Sequence, residues 1–194
     1  MTFVIGLTGS IGMGKSTTAK MFAKRYIPVW DADAAVHRIY QSGGGELATA
    51  FPQAVKNGMI ERDLLRKIIH QDQTALAKIE AIIHPQVAAD RARFIQTSKS
   101  EIVLVDVPLL FETGADDSVD AIVVVSAPND VQRDRVLARD GMTETLFDTI
   151  LSKQMPDAEK RAKADYVIET TSLDAAEAAV DAILAKIKRE LSDA

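Results

Sequence analysis

The chain has 194 residues, 47% of them apolar and 26% charged, so it can bury a core and is not a disordered chain. Its net charge of −5 argues against a general binder of nucleic acids or membrane surfaces, because such proteins carry a basic excess. The chain has no cysteine, which excludes disulfides and favours the cytoplasm. It also has no apolar run of about 20 residues and no basic amino end, so we predict no membrane partner.

Five apolar runs rich in β-branched residues are predicted to be strands, at residues 3–7, 28–30, 102–105, 121–125 and 166–168. Helical patterns lie between them, which is typical of βαβ units. The sequence therefore predicts an α/β fold with a mostly parallel, five-stranded sheet.

The long stretch between the second and third predicted strands, residues 33–100, shows no clear strand pattern. A loop is predicted at the three glycines 43–45, and Pro85 is expected to end or kink a helix, because proline disfavours α geometry in the preceding His84. Apolar residues recur here at helical spacing, which predicts a helical insertion; they are Leu64, Leu65, Ile68, Ile69, Leu76, Ile79, Ile82 and Ile83.

A last helix is predicted over residues 172–191, with Thr171 and Asp174 spaced as a capping box. An apolar stripe along this helix indicates packing rather than chemistry. The stripe consists of Leu173, Ala176, Val180, Ile183, Ile187 and Leu191.

The first strand leads into GSIGMGKS, which fits the phosphate-loop pattern G-x-x-x-x-G-K-[ST] and precedes a helical pattern. Backbone N–H groups in such a loop hold phosphates together with the positive end of the next helix. Lys15 is expected to reach the outer phosphates and Ser16 to ligate Mg²⁺. A dinucleotide-binding turn fits less well, since Thr17 stands where its third glycine belongs. The predicted nucleotide-binding residues are Gly9, Ser10, Ile11, Gly12, Met13, Gly14, Lys15, Ser16 and Thr17.

A carboxylate, Asp106, ends the apolar run at residues 102–105. Strand ends in such sheets point into the ligand crevice, so Asp106 is a candidate to hold Mg²⁺ directly or through water. The alternative is a turn or cap residue.

Two further carboxylates, Asp31 and Asp33, follow the second predicted strand and lie near the phosphate loop if that strand is beside the first. The chain lacks the guanine-reading N-K-x-D motif, which disfavours a GTPase switch and leaves a small kinase. A kinase needs a base or orienting group at the acceptor hydroxyl. Asp33 shares a helical face with His37. The alternative for either aspartate is a helix N-cap.

Two arginines, Arg135 and Arg139, lie four residues apart on the helix predicted after the fourth strand. Such a pair can neutralise charge on the transferred phosphoryl group, on a helix that closes over the nucleotide as a lid. The alternative is a solvated face paired with Asp134 and Asp140.

Together these features resemble the dephospho-CoA kinase family over nearly the whole chain. Many families share the phosphate loop, whereas the other motifs, in the order in which they occur here, are more specific to this family. They are Asp31-Ala32-Asp33, Ile83-His84-Pro85, VPLLFE at residues 107–112, Gln132 with Arg135 and Arg139, QMP at residues 154–156 and ADYVI at residues 164–168.

The resemblance implies that ATP phosphorylates the ribose 3′-hydroxyl of dephospho-CoA, the final step of coenzyme A synthesis. It also implies a three-layer P-loop NTPase fold in a chain expected to be monomeric. Its core would span residues 1–32, 100–130 and 163–194, with an acceptor-binding helical insertion at residues 33–99 and a lid at residues 131–162.

Residue roles follow from the same resemblance. Asp33 would orient or deprotonate the 3′-hydroxyl, while Lys15, Arg135 and Arg139 would stabilise charge on the phosphoryl group. For His84, a cap at the helix break is the alternative to a substrate contact. The residues implied on the acceptor side are Thr8, Asp31, Asp33, Arg62, His84, Pro85, Leu109 and Phe111.

Some positions depart from the family pattern. Tyr26 stands where the family often has glycine, and Glu169-Thr170 stand where it often has Asp-Asn near the adenine. The preference for ATP over GTP is therefore implied by the resemblance alone. Two rivals stay open: another small-molecule kinase of this fold, and a regulator that binds ATP without turning it over.

Overall fold

The computed structural model describes residues 2–193, which form two compact units. One unit comprises Met1–Val29 and Ser98–Ala194, and the other comprises Trp30–Thr97. Within the described residues, no helix is both long and apolar enough to cross a bilayer.

Helices and strands alternate through most of the chain. In chain order they are β1 (Phe3–Thr8), α1 (Lys15–Lys24), β2 (Val29–Asp31), α2 (Ala32–Gln41), α3 (Glu46–Ala50), β3 (Val55–Lys56), β4 (Met59–Ile60), α4 (Arg62–Gln71), α5 (Thr74–Thr97), β5 (Ile102–Asp106), β6 (Ala121–Ser126), α6 (Asn129–Leu137), α7 (Glu144–Leu151), α8 (Asp157–Lys163), β7 (Tyr166–Glu169) and α9 (Leu173–Ser192).

The main sheet has five strands in the order β2-β5-β1-β6-β7. β1 pairs in parallel with β5, where Leu7 lies opposite Asp106, and with β6, where Thr8 lies opposite Val124. β6 pairs in parallel with β7. The predicted α/β fold and its mostly parallel five-stranded sheet are confirmed. The second strand does not lie beside the first, because β5 separates them.

The core of the first unit surrounds β1, the central strand. Ile5 and Leu7 are fully buried, as expected for a strand covered on both faces, and they pack in one apolar cluster with Phe22 of α1 and Ile187 of α9. Because β1, β5 and β6 are parallel, their carboxyl ends lie at one edge of the sheet. The phosphate loop (residues 9–16) leaves β1 at that edge.

The start of α9 differs from the predicted capping box. Ser172 is the N-cap, and its hydroxyl accepts a hydrogen bond from the N–H of Ala175 at 3.4 Å. Thr171 instead donates to Glu169. The apolar stripe is buried in its middle only, because Leu173 and Leu191 are exposed at the two ends.

A short hairpin in the second unit was not predicted from the sequence. β3 and β4 pair antiparallel, with Val55 opposite Ile60. The turn is Asn57-Gly58, and both residues have positive φ, 53° and 77°. This dipeptide is a strong signal for a two-residue hairpin turn, but strands of two residues are too short to show an apolar alternation.

Pro85 does not end a helix. It lies inside α5, which runs unbroken from Thr74 to Thr97, so the expected helix end at His84 is wrong, whereas the alternative, a kink, stays a prediction. Proline removes the hydrogen bond to the carbonyl of Ala81. Ala81 and Pro85 are both exposed, so water can solvate that carbonyl, while Ile79 and Ile83 hold another face of the helix in the apolar cluster of this unit.

The end of α1 contains a strained residue. The N–H of Tyr26 donates to Ala23 and that of Ile27 to Phe22, which closes the helix with Tyr26 at φ 61°. Glycine normally occupies this left-handed position because it has no Cβ. The Tyr26 side chain is 94% exposed, so little packing offsets the strain.

We therefore expect Tyr26→Gly to raise the free energy of unfolding by about 1 kcal/mol, because the left-handed conformation disfavours any Cβ. The melting temperature should rise by about 2–4 °C in a chain of this size. Tyr26→Ala keeps the Cβ and serves as the control, measured by thermal denaturation. An equal gain in both variants would mean that loss of the exposed ring, not relief of strain, was responsible.

Candidate active site

The phosphate loop is shaped by contacts that exclude larger side chains. A Cβ on Gly9 would lie 2.4 Å from Cγ2 of Val125 and 2.7 Å from its carbonyl oxygen, so β6 passes too close for any other residue. Gly14 has φ 88° and precedes α1 with no side-chain cap. The N–H of Thr17 donates to the Gly14 carbonyl, which leaves the N–H groups of Lys15 and Ser16 for a ligand, as an anion site at a helix start requires.

Two glutamine side chains hold the loop at Ile11. Nε2 of Gln132 donates to the Ile11 carbonyl at 2.7 Å, and Oε1 of Gln154 accepts from the Ile11 N–H at 3.0 Å. Gln132 is buried on α6, and Gln154 lies between α7 and α8. Both peptide groups around Ile11 are thus fixed from outside the loop.

Lys15, the first residue of α1, forms an ion pair with Asp106 at the end of β5. Asp106 is almost fully buried, and its strand places it opposite Leu7 of β1, two residues before the phosphate loop. The predicted phosphate-binding cation and the predicted metal-binding carboxylate are therefore neighbours. Ser16, the other predicted Mg²⁺ ligand, is exposed at the next position of α1.

The structure separates the two lid arginines. α6 ends at Leu137, so Arg139 lies in the following turn and not on the helix face that it was predicted to share with Arg135. Nη1 of Arg135 donates to Oγ1 of Thr170 at 3.0 Å and to the Gly12 carbonyl at 3.4 Å, and Nη2 donates to the Thr170 carbonyl at 2.6 Å. Arg135 is thus held against the phosphate loop and not on a solvated face, whereas Arg139 is exposed.

The segment after β5, residues 107–112, carries two of the predicted acceptor residues. The buried hydroxyl of Thr8 donates to the Pro108 carbonyl at 3.1 Å, which ties the segment to β1. Leu109 is 38% exposed, whereas Phe111 is mostly buried with Nζ of Lys163 at 5.7 Å from its ring centre. Leu109 can therefore meet a ligand directly.

An ion pair between a buried lysine and a partly exposed glutamate links the same segment to α8. Nζ of Lys160, which has no exposed surface, lies 2.9 Å from Oε1 of Glu112. Oε1 of Glu112 also accepts from the Met155 N–H at 2.8 Å. Burial acts to raise the pKa of Glu112, but Lys160 and the N–H group of Met155 outweigh it and hold the pKa below its ordinary value. No sequence signal singled out Lys160.

In the second unit the two aspartates have different roles. Asp31 is the N-cap of α2, and its carboxylate accepts from the N–H of Ala34 at 2.7 Å. Asp33 lies in the first turn, is exposed, and makes no hydrogen bond or ion pair within residues 2–193. His37 contacts Gln41 at 3.0 Å, and among the described residues it makes no hydrogen bond or ion pair with Asp33. Of the two cap candidates, the structure selects Asp31.

The other predicted acceptor residues of this unit lie on α4 and α5. Arg62 begins α4, and its guanidinium carbon is 5.8 Å from the centre of the Tyr40 ring. Burial raises the pKa of the Tyr40 phenol, against the opposing charge of Arg62. His84 and Pro85 are exposed inside α5, so His84 is not a cap at a helix break.

The Glu112–Lys160 pair predicts how stability depends on pH. Because the pKa of Glu112 is lowered in the folded chain, the stability it contributes is present above its ordinary value of 4.5 and is lost as the pH falls through the lowered value. Glu112→Gln should cost about 2 kcal/mol at pH 7, because it leaves the buried Lys160 without its carboxylate; the cost is below that of a fully buried pair because Glu112 is partly exposed.

Urea unfolding, followed from pH 7 to below the lowered pKa of Glu112, measures this difference. The stability difference between wild type and Glu112→Gln should shrink towards the acid end, where wild-type Glu112 takes up a proton and is then uncharged, like the glutamine. Glu159→Gln, an exposed glutamate on α8, is the matched control and should change stability little. A cost for Glu112→Gln that stays the same at every pH would rule out a charge-based role.

Comparisons with known proteins identify the family of this chain. A sequence model of the dephospho-CoA kinase family (CoaE) matches residues 3–175. A dephospho-CoA kinase from Cereibacter sphaeroides is 54% identical over 195 residues, covering 99% of this chain and 98% of that protein. A solved Thermus thermophilus structure is 33% identical with a TM-score of 0.84, covering 95% of this chain and 97% of that one.

A second solved structure, the dephospho-CoA kinase from Campylobacter jejuni, shares the fold, with 24% identity, a TM-score of 0.73 and coverage of 98% and 99%. The sequence match spans most of the chain, and the relatives are matched over nearly their full lengths. The chain therefore belongs to the dephospho-CoA kinase family.

Proposed function

We propose that this chain transfers the γ-phosphoryl group of ATP to the 3′-hydroxyl of the dephospho-CoA ribose, giving coenzyme A and ADP. The family uses ATP as its phosphate donor and carries out the final step of coenzyme A synthesis. The observation that carries the proposal is the phosphate loop with Lys15 at its end, in a chain that matches the family from residue 3 to residue 175.

The donor side of the reaction rests on the loop and three cations. Lys15 and Arg139 would neutralise charge on the phosphoryl group as it moves, since stabilisation of the transition state requires charges aimed at the developing negative oxygens. Arg135 supports this differently, because three of its hydrogen bonds go to Thr170 and Gly12. Its guanidinium would approach the nucleotide with the remaining N–H groups.

Asp33 is the candidate base. Its neighbour Asp31 already caps α2, whereas Asp33 has no structural hydrogen bond among the described residues. In the proposed step, the 3′ oxygen bonds to the γ-phosphorus as the bond to the ADP oxygen breaks, and the hydroxyl proton passes to the Asp33 carboxylate.

Mg²⁺ fits the donor side. Ser16 and Asp106 offer hydroxyl and carboxylate oxygens, the ligands that Mg²⁺ prefers. Within residues 2–193, no group of three or more acidic or histidine side chains could hold a metal by itself. Phosphate oxygens and water would complete the coordination, and the bound ion would neutralise phosphate charge.

Two exposed side chains are proposed to contact the acceptor. Arg62 is an exposed cation and Leu109 an exposed apolar side chain, which suits the diphosphate and the pantetheine arm of dephospho-CoA. The full proposed set is Thr8, Asp31, Asp33, Arg62, His84, Pro85, Leu109 and Phe111. We propose further that the protein acts as a cytoplasmic monomer with no nucleic-acid or membrane partner, which its net charge of −5 supports.

The direct test is ADP release by the purified protein with ATP and Mg²⁺, with and without dephospho-CoA, combined with the product mass. We expect ADP release that depends on dephospho-CoA and a product heavier by one phosphoryl group. ATP binding without stimulation by dephospho-CoA would contradict the acceptor, and nucleoside monophosphates and sugar acids would be tried next. ATP binding with no acceptor found would favour a regulator.

The role of Asp33 is tested by Asp33→Asn, which keeps the size of the side chain and removes the base. We expect kcat to fall at least about 100-fold, the usual contribution of a general base, while ADP binding stays unchanged. The matched control is Asp63→Asn, because Asp63 is also exposed and also the second residue of its helix.

Each variant should lose about 0.5 kcal/mol from the helix dipole, and Asp63→Asn should lose slightly more in total because Asp63 also pairs with Arg66 at 3.1 Å. Retained kcat in Asp33→Asn, with a larger loss of melting temperature than in Asp63→Asn, would assign Asp33 a structural role.

A further inference from the structure

Thr170, just after β7, contacts both the phosphate loop and Arg135. Its N–H continues the β6–β7 pairing by donating to the Ser126 carbonyl at 2.9 Å, so its backbone is fixed by the sheet. The residue is buried. A Cβ on Gly14 would lie 3.0 Å from Oγ1 and Cβ of Thr170, which places the side chain against the phosphate loop.

The hydroxyl of Thr170 is bonded in two directions. Its proton has two carbonyl acceptors within reach, Met13 at 2.9 Å and Ser126 at 3.3 Å, of which Met13 is the nearer. The oxygen accepts from Nη1 of Arg135 at 3.0 Å. The carbonyl of the same residue accepts from Nη2 of Arg135. One residue therefore supplies two acceptors to a planar guanidinium, a geometry that sets both the position and the tilt of Arg135.

The bond to Met13 also directs the loop. The peptide between Met13 and Gly14 is planar and trans, so its carbonyl and its N–H point in opposite directions. Holding the Met13 carbonyl towards Thr170 turns the Gly14 N–H away from it, at the turn into α1 where N–H groups gather to bind an anion.

We infer that Thr170 is a positioning residue for nucleotide binding, whose hydroxyl fixes Arg135 and the Met13–Gly14 peptide in the geometry that receives the ATP phosphates. The inference rests on the proposed function for the identity of the nucleotide. Thr170 stands at a position that departs from the family pattern near the adenine, and its contacts are with the protein.

The test compares Thr170→Val, which keeps the shape and removes the hydroxyl, with Thr170→Ser, which keeps the hydroxyl. We expect Thr170→Val to raise the KM for ATP and the Kd for ADP with Mg²⁺ about five- to tenfold, the usual effect of losing a buried hydrogen bond. The KM for dephospho-CoA should change less than about twofold, and Thr170→Ser should restore ADP affinity. Thr171→Val, an exposed neighbour, is the control.

A double-mutant cycle shows whether Thr170 acts through Arg135. In an Arg135→Ala background, Thr170→Val should weaken ADP binding much less than in the wild type. An undiminished effect in that background, or a lower melting temperature with normal ADP affinity, would overturn the inference. If Thr170→Val does not fold, the pair Thr170→Ala and Thr170→Ser makes the same comparison.

ADP affinity is measured by calorimetry and needs no turnover. The result for Thr170 is therefore readable even if the wild-type protein fails to phosphorylate dephospho-CoA. Failure of the acceptor assignment and failure of the Thr170 assignment would give different data.

Discussion

The backbone of the phosphate loop has to stay open towards an anion, and much of the first unit serves that requirement. A loop that turns through left-handed glycines such as Gly12 and Gly14 cannot satisfy its peptide groups by regular helix or sheet bonds. Side chains from α6, from the turn before α8 and from the end of β7 satisfy them instead, through Gln132, Gln154 and Thr170. A loop held in this way loses little conformational freedom when it binds.

Charge is distributed locally and not over the whole surface. The chain is acidic overall, yet Lys15 and Arg135 lie at the one loop that a phosphate would enter. Each is held by protein acceptors, Lys15 by Asp106 and Arg135 by Thr170, so both stay in place without a ligand. The Glu112–Lys160 pair is also a cation held by a protein acceptor, and its role is structural because it joins the segment after β5 to α8.

Local patterns predicted well the features that depend on neighbours in the chain. The five strands were found within about two residues, since burial on both faces requires continuous apolar runs. The phosphate loop was found because its glycines are required by local φ angles and close contacts. Local signals also led to errors: Pro85 suggested a helix end that an exposed face makes unnecessary, and Arg139 continued a helical spacing beyond the end of α6.

The sequence by itself determined the fold class, the position of the phosphate loop and the family, because these follow from periodicity and from motifs of a few adjacent residues. Only the tertiary structure decided which of Asp31 and Asp33 caps α2, that Arg135 rests on Thr170, and that Lys160 is a buried partner of Glu112. In the sequence, Thr170 lies 35 residues from Arg135. Glu112 lies 43 residues from Met155, whose N–H donates a hydrogen bond to it. Contacts between residues so far apart depend on how the strands are ordered in the sheet, which no local pattern encodes.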